Sequence, residues 1–600
     1  MVRYTVQLFG ITVFALATIW FVGSGEATQS SSSTEPVLWA DTVHINLEAG
    51  SSTQEEQKQK RDSFLRDVKK LTQTAFNIRN QYMEDVNTED IVKSGIKGML
   101  SDLDRFSVLM EKSSYDALME STHGKYEGLG MQIDARDNRI RIIAPIEGTP
   151  AYRKGLRAGD VVWEIEGQST EEMTASEASK LMRGPAGTSI TLKIKRAGII
   201  DPIEFEIERA VIELKSVNYA GVIPETDIGY VRLSRFAEET SHELRQALDS
   251  LDGLNVSGLV FDLRSNGGGL LDQAKETSEL FLEPGHEIVY TRGKYENSER
   301  HYESSRPPLF PNKPLIVLVD EGTASASEIV AGAIQDWDRG LILGNTTYGK
   351  GLVQRIFPLS SDGSIALKLT TAKYYIPSGR CIQKPEKRNK KKTSSYEAGD
   401  EEAGNDSVNV SQKEVFYTNG GRVVYGGGGI VPDIEIERET WRPIEINLYR
   451  QSMFFDFAVK YVAEHPEVKP DFEVTDEIVE QFRKYVKEKD FDYKSSLQVA
   501  LEELQETVNS EGKDSLFNGA IDSLEALVEL EKSHDFDQSI DYIKKTIKRE
   551  VVAAVAGQRG VYEEVVLRMD PAVLKAVNIL TTPNEYSNMI SKGQKKAELN

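Results

Sequence analysis

The chain has 600 residues, too many for one hydrophobic core, and 39% of them are hydrophobic, enough to build several. A formal net charge of −23 argues against nucleic acid as a general partner, because phosphate binding needs a positive surface. The lone Cys381 closes no intramolecular disulfide, no His, Cys, Asp and Glu set has metal-ligand spacing, and His242-Glu243 lacks a second histidine one turn on, so no metal or cofactor is expected.

At the start, Arg3 precedes an uncharged run from Tyr4 to Val22, intermediate in length between a signal-peptide core and a membrane-spanning helix. Export to the periplasm or cell envelope is expected, with residues 4–22 either removed or kept as an inner-membrane anchor; scarce cysteine fits an oxidising compartment. Residues 26–60, rich in Ser, Thr, Glu and Gln, read as a disordered tether. From 61 to 120, Phe64, Leu65, Val68 and Leu71, then Val92, Ile96, Met99, Leu100 and Leu103, recur at helical spacing and predict a helical N-terminal region.

Residues 121–210 change to short alternating strands such as Ile140-Arg141-Ile142 and Ile190 to Ile194, with one helix around Ser176 to Met182. Gly128-Leu129-Gly130-Met131 stands in front, and Gly155-Leu156-Arg157-Ala158-Gly159-Asp160 opens the strand Val161 to Ile165. These residues resemble a PDZ domain, whose glycine loop exposes N–H groups to a peptide carboxylate while the next strand pairs with the peptide. The plainer alternative is glycines that only serve turns.

Between 211 and 437, nearly continuous apolar strands, Leu259 to Leu263 and Leu315 to Val319, alternate with helices; Ile329, Val330, Ala333, Ile334 and Trp337 share one helix face. An α/β core follows. About 385–413 reads as a polar insertion, in which the basic run Lys384 to Lys392 is offset by acidic Glu397 to Glu402 and is a solvated loop. From 438 to 600 the pattern is helical, and the stripe Ile543, Ile547, Val551, Val555 is expected in a core.

Three segments of the core carry chemistry. The strand at Leu315 runs into Gly322-Thr323-Ala324-Ser325-Ala326-Ser327-Glu328, so Ser325 stands at a helix start beside free N–H groups able to stabilise an oxyanion. Ser325-Ala326-Ser327-Glu328 is equally a capping box, in which the serine merely caps. Lys350, between Gly349 and Gly351, becomes a base only if burial lowers its pKa; otherwise it is a solvated turn lysine. In an extended strand Lys350 and Gln354 share one side, about 13 Å apart at their backbones; their long side chains could meet, and a local bend would help. Asn266-Gly267-Gly268-Gly269 brings backbone close to a ligand or simply turns.

Together with the PDZ-like unit, these segments resemble the carboxyl-terminal processing peptidases over roughly Ile91 to Pro432. Gln335-Asp336, Arg339, Pro377-Ser378-Gly379-Arg380 and Gly428-Gly429-Ile430-Val431-Pro432-Asp433 also match that pattern. The resemblance implies a crotonase- or ClpP-like serine protease core with a PDZ domain; with the N-terminal helical region and the C-terminal helical extension read from periodicity, the expected fold class is α/β multidomain. It implies Ser325 as nucleophile, Lys350 as general base and Gln354 as the residue that positions the lysine. The amides of Ala326 and Gly268 would form the oxyanion hole, and Gly128, Leu129, Gly130 and Met131 would bind the substrate's C-terminus. Departures are Gly267 where proline is usual, Cys381 where serine is common, Met131 in the PDZ loop, and the charged insertion after Gln383 and the helical region from about Arg438, which lie outside the minimal family pattern. Expected partners are proteins or peptides with apolar C-termini; an adaptor or regulatory protein and self-association are further partners this reading allows. A non-catalytic PDZ scaffold and a hydrolase of non-peptide acyl bonds are the competing classes.

Overall fold

A computed structural model describes residues 54–295, 298–360, 364–385 and 414–591. The expected leader, most of the tether and nearly all of the polar insertion lie outside the described residues. The chain forms two units, residues 1–71 and 72–600. The described part of the first is the opening of the helix Gln54–Gln81, which begins inside the stretch read as tether. Its Gln, Glu, Lys and Arg residues are good helix formers uninterrupted by Gly or Pro.

In the second unit, the helix Thr88–Ser101 leads to a short strand, Val108–Glu111, that the helical reading missed. This strand pairs antiparallel with Ile365–Tyr375, more than two hundred residues later, in a five-stranded sheet. The apolar run Val108-Leu109-Met110 is too short to show a period of its own.

The PDZ-like unit is an antiparallel sheet of Met131–Arg136, Arg139–Pro145, Val161–Ile165, Ser189–Lys195 and Ile203–Glu208. Alternate residues Ile140, Ile142, Ile190, Leu192 and Ile194 are buried beneath the helix Ala175–Met182. Thr174 caps that helix with a complete capping box: Glu177 N–H donates to Thr174 Oγ1 at 3.2 Å, and Thr174 N–H to Glu177 Oε2 at 2.8 Å.

The core is a six-stranded sheet ordered Val217–Val222, Ile228–Leu233, Gly258–Asp262, Leu315–Val319, Leu341–Gly344, Ile434–Glu435. Its first pair is antiparallel and the rest are parallel. The continuous apolar strands are covered on both faces, as their composition predicts. On one face lies the helix Ala326–Asp336, every residue of which is buried. On the other lie Leu567, Ala572, Val573, Ala576 and Ile579 of the C-terminal helices, packed with Tyr230, Val260, Ile316 and Leu318. Ile543, Ile547 and Val551 are fully buried against Phe454, Phe457 and Phe482 in a separate helical core. Among the described residues no helix is long and apolar enough to cross a membrane.

Candidate active site

The strand Leu315–Val319 ends in a turn tied to the neighbouring loop: Thr323 Oγ1 donates to the Leu263 carbonyl and Ala324 N–H to the Asn266 carbonyl, both at 2.9 Å. Ser325 then adopts φ 57° and ψ −115°, a conformation that costs a non-glycine residue about 1–3 kcal/mol. Such a strained strand-to-helix turn is how an α/β fold presents a nucleophile. Ser325 and Glu328 hold the positions of a capping box, yet the hydroxyl makes no cap hydrogen bond. Glu328 N–H donates instead to the Ser325 carbonyl at 2.9 Å, and the carboxylate takes Ser325 N–H at 2.8 Å. The hydroxyl is therefore not engaged as a cap.

Glu328 is fully buried and joins both halves of the site. Besides Ser325 N–H, it accepts the Thr347 hydroxyl at 2.6 Å, Gly349 N–H at 2.8 Å and Lys350 N–H at 2.9 Å. Burial pushes its carboxyl above the usual range, and these donors pull the other way. Tyr374, buried, places its hydroxyl 3.1 Å from the Ser325 carbonyl and 2.5 Å from the Lys350 carbonyl.

Lys350 lies in the turn before the strand Leu352–Pro358. Gly349 takes φ +86°, and a Cβ there would stand 3.1 Å from Gly429 N; a Cβ on Gly351 would stand 2.8 Å from Gln383 N. The flanking glycines thus allow the close packing that half-buries the lysine. Its Nζ is 5.0 Å from the centroid of the Phe106 ring. Burial holds the amine below the ordinary lysine value of 10.5, Lys368 adds to this, and Glu328 and Asp104 oppose it.

The backbone between Lys350 and Gln354 is not a regular strand. The strand starts only at Leu352, and a bulge between Val353 and Gln354 shifts the register. Gln354 Nε2 donates to the Phe106 carbonyl at 2.7 Å, so it fixes the residue whose ring faces Lys350. Asp104 holds the same segment, accepting Phe106 N–H at 2.9 Å and the Thr370 hydroxyl at 3.1 Å. Phe106, Tyr374 and Asp104 carry no motif in the sequence.

Gly268, at φ +94°, packs on the Ser325 turn so closely that a Cβ would stand 2.8 Å from Ala326 N and 2.9 Å from Ser325 Cβ. Its own N–H donates to Asn266 Oδ1 at 2.9 Å, so in this structure the amide is engaged within its loop. Ala326 opens the helix, where a first-turn N–H has no intrahelical acceptor.

The remaining motif residues are scaffold. Arg380, fully buried, donates to Gln335 Oε1 and Asp336 Oδ1, each at 2.8 Å. Gln335 Nε2 reaches the Val431 carbonyl at 3.0 Å, and Asp433 takes Ile342 N–H at 2.8 Å. This network ties the back of the serine helix to the strand edge.

In the PDZ-like loop, the carbonyls of Leu129 and Gly130 accept the N–H groups of Ala151 and Ile146, both at 2.9 Å. A groove cavity of about 70 Å³ lies beside the loop, lined by Tyr126, Leu129, Gly130, Met131 and Ile133 and by Ser179, Met182 and Arg183. Gly128 ends the preceding strand, with the Tyr126 ring against it. Arg183 lies 4.8 Å over that ring and pairs with Glu120. A basic residue at this groove was not singled out from sequence.

Four family models match: peptidase family S41 over residues 227–388, a PDZ domain over 141–196, the activating protease CtpB N-terminal domain over 31–114, and a probable PDZ-protease C-terminal helical domain over 444–580. A carboxy-terminal-processing protease of Bartonella bacilliformis is 43% identical over 310 residues, covering 51% of this chain and 70% of that protein. The carboxy-terminal processing protease CtpA of Bacillus subtilis is 34% identical, covering 52% of this chain and 66% of its own length. The carboxyl-terminal-processing protease of Synechocystis sp. is 36% identical, covering 51% and 72%. With a relative this similar aligned over more than two thirds of its length, the chain belongs to the carboxy-terminal-processing proteases of peptidase family S41, with a PDZ domain and a C-terminal helical domain.

Proposed function

We propose that the chain is an endopeptidase of the cell envelope that captures the apolar C-terminus of an exported protein in its PDZ groove and cleaves it with a Ser325/Lys350 dyad. The observation that carries this reading is the shared anchoring of both turns on Glu328, with the Ser325 hydroxyl spared from capping and the Lys350 amine desolvated.

Ser325 Oγ attacks the peptide carbonyl carbon as its proton passes to Lys350 Nζ. The C–N bond then breaks, the lysine gives that proton to the leaving amine, and an acyl-enzyme ester remains. Water attacks the ester, passing a proton to Lys350. The C–O bond breaks and Ser325 Oγ recovers the proton. Ala326 N–H, with the Gly268 amide released from Asn266, faces the developing oxyanion. Gln354 acts on the lysine through Phe106. The amides of the Gly128 to Met131 loop receive the substrate carboxylate, with Arg183 adding positive charge at the same groove. Residues 4–22 direct export and membrane association.

The test is degradation of an unfolded protein ending in apolar residues, compared with the same protein C-terminally amidated. The native chain is expected to cleave the first faster, and Ser325→Ala and Lys350→Ala to cleave neither. Equal cleavage in those variants refutes the dyad; equal cleavage of both substrates by the native chain refutes C-terminal capture.

A further inference from the structure

Arg264 follows the strand Gly258–Asp262 and opens the loop that carries Asn266 and Gly268. Asp262, 1% exposed, accepts the Tyr230 hydroxyl, Arg232 Nη1 and Arg264 Nη2, each at 2.7 Å. The core thus gathers two guanidinium groups on one carboxylate and carries an excess cation. The second carboxylate comes from the C-terminal helices: Asp570 receives Arg264 Nη1 at 3.1 and 3.0 Å on its two oxygens. Asp570 also caps the helix Pro571–Thr581, accepting Ala572 N–H at 2.9 Å and Val573 N–H at 3.1 Å. Its carboxylate is therefore fixed by a helix seated on the core sheet.

The loop that follows Arg264 is bonded to the turn of the proposed catalytic serine. Ser265 takes φ 53°, with its N–H and hydroxyl on Asp320 at 2.6 and 2.8 Å. The Asn266 carbonyl accepts Ala324 N–H and the Ser327 hydroxyl, both at 2.9 Å, one residue to either side of Ser325 and Ala326. Gly268 packs on the same turn.

We propose that Asp570 is a positioning residue for Ser325: by balancing Arg264 it holds the 264–268 loop in register with the nucleophile turn, making the C-terminal helical domain a working part of the protease. This rests on the reading of Ser325 as nucleophile. Without the carboxylate, Arg264, with its side chain 22% exposed, turns its outer edge toward water and draws the loop with it.

The full chain is assayed on a peptide substrate with Asp570→Asn and Asp570→Ser, which keep an N-cap acceptor but lose the charge, and with Asp570→Glu, which keeps the charge. We expect kcat to fall about tenfold in the Asn and Ser variants, KM to stay within about twofold, and the Glu variant to recover part of the loss. Tyr586→Phe is the structural control. Its hydroxyl meets Leu315 N–H at 3.1 Å, at the strand end far from the serine, so it should lower the melting temperature and keep kcat. Unchanged kcat in both the Asn and Ser variants, or an equal loss in Tyr586→Phe at matched melting temperature, overturns the proposal. Turnover by Ser325→Ala, measured alongside, would instead overturn the serine reading.

Discussion

Two helices of this protein start with the same local grammar, and they use it differently. Thr174 and Glu177 form a complete capping box, with the threonine hydroxyl spent on Glu177 N–H and its backbone extended at φ −72° and ψ 155°. Ser325 and Glu328 hold the same positions, but the backbone stands at φ 57° and ψ −115°, the hydroxyl makes no cap hydrogen bond, and the carboxylate is shared with a second turn. The first box stabilises a helix. The second gives up part of that stabilisation, and the strain is held by the Asn266 carbonyl, Tyr374 and the bonds to Glu328. The same motif therefore either spends its hydroxyl on a cap or leaves it free of one, as the proposed nucleophile requires.

The largest expected effect breaks the comparison at its centre. Glu328→Gln replaces an acceptor oxygen with a donor facing backbone N–H groups, and should cost about 2–4 kcal/mol of stability together with most of the activity. Denaturant unfolding and turnover measured together check this; a variant of native stability and rate would contradict the role given to Glu328.

Next is the pH dependence. Attack needs the neutral lysine, so kcat/KM should fall as pH drops through the Lys350 pKa, with the inflection below 10.5 because burial lowers it. The linkage has a definite sign. Between the folded-state pKa and 10.5 the unfolded chain binds more protons, so the Lys350 contribution to stability rises with pH across that window. An acid-limb inflection at or above 10.5 would remove the lysine as base.

The smallest effect belongs to the ordinary box. Thr174→Ala should cost about 1 kcal/mol of stability and leave cleavage of a substrate with a blocked C-terminus unchanged. A loss of kcat there would mean that the two boxes are not functionally distinct.

Much of the candidate site is legible in the sequence because its signals are local. Ser325, Lys350 and the Asn266 to Gly269 loop each sit within one strand-turn segment, where glycines and an apolar run mark the geometry. The rest arrives from far along the chain. Phe106 stands just before Val108–Glu111, which pairs with Ile365–Tyr375, and three apolar residues followed by a glutamate do not announce a strand among helices. The resemblance names Gln354, but strand periodicity alone does not give its partner, because the Val353/Gln354 bulge breaks the period. The Ser325 conformation was invisible for another reason: a capping-box sequence favours an extended N-cap, and only the surrounding contacts overrule it.

The most direct test of the account is to mix the protein rapidly with an activated ester of an apolar peptide and follow the intact mass, then map the adduct. The account predicts an acyl group on Ser325, absent in Ser325→Ala and formed far more slowly in Lys350→Ala. An adduct on another residue, or one formed as fast without Lys350, would contradict it.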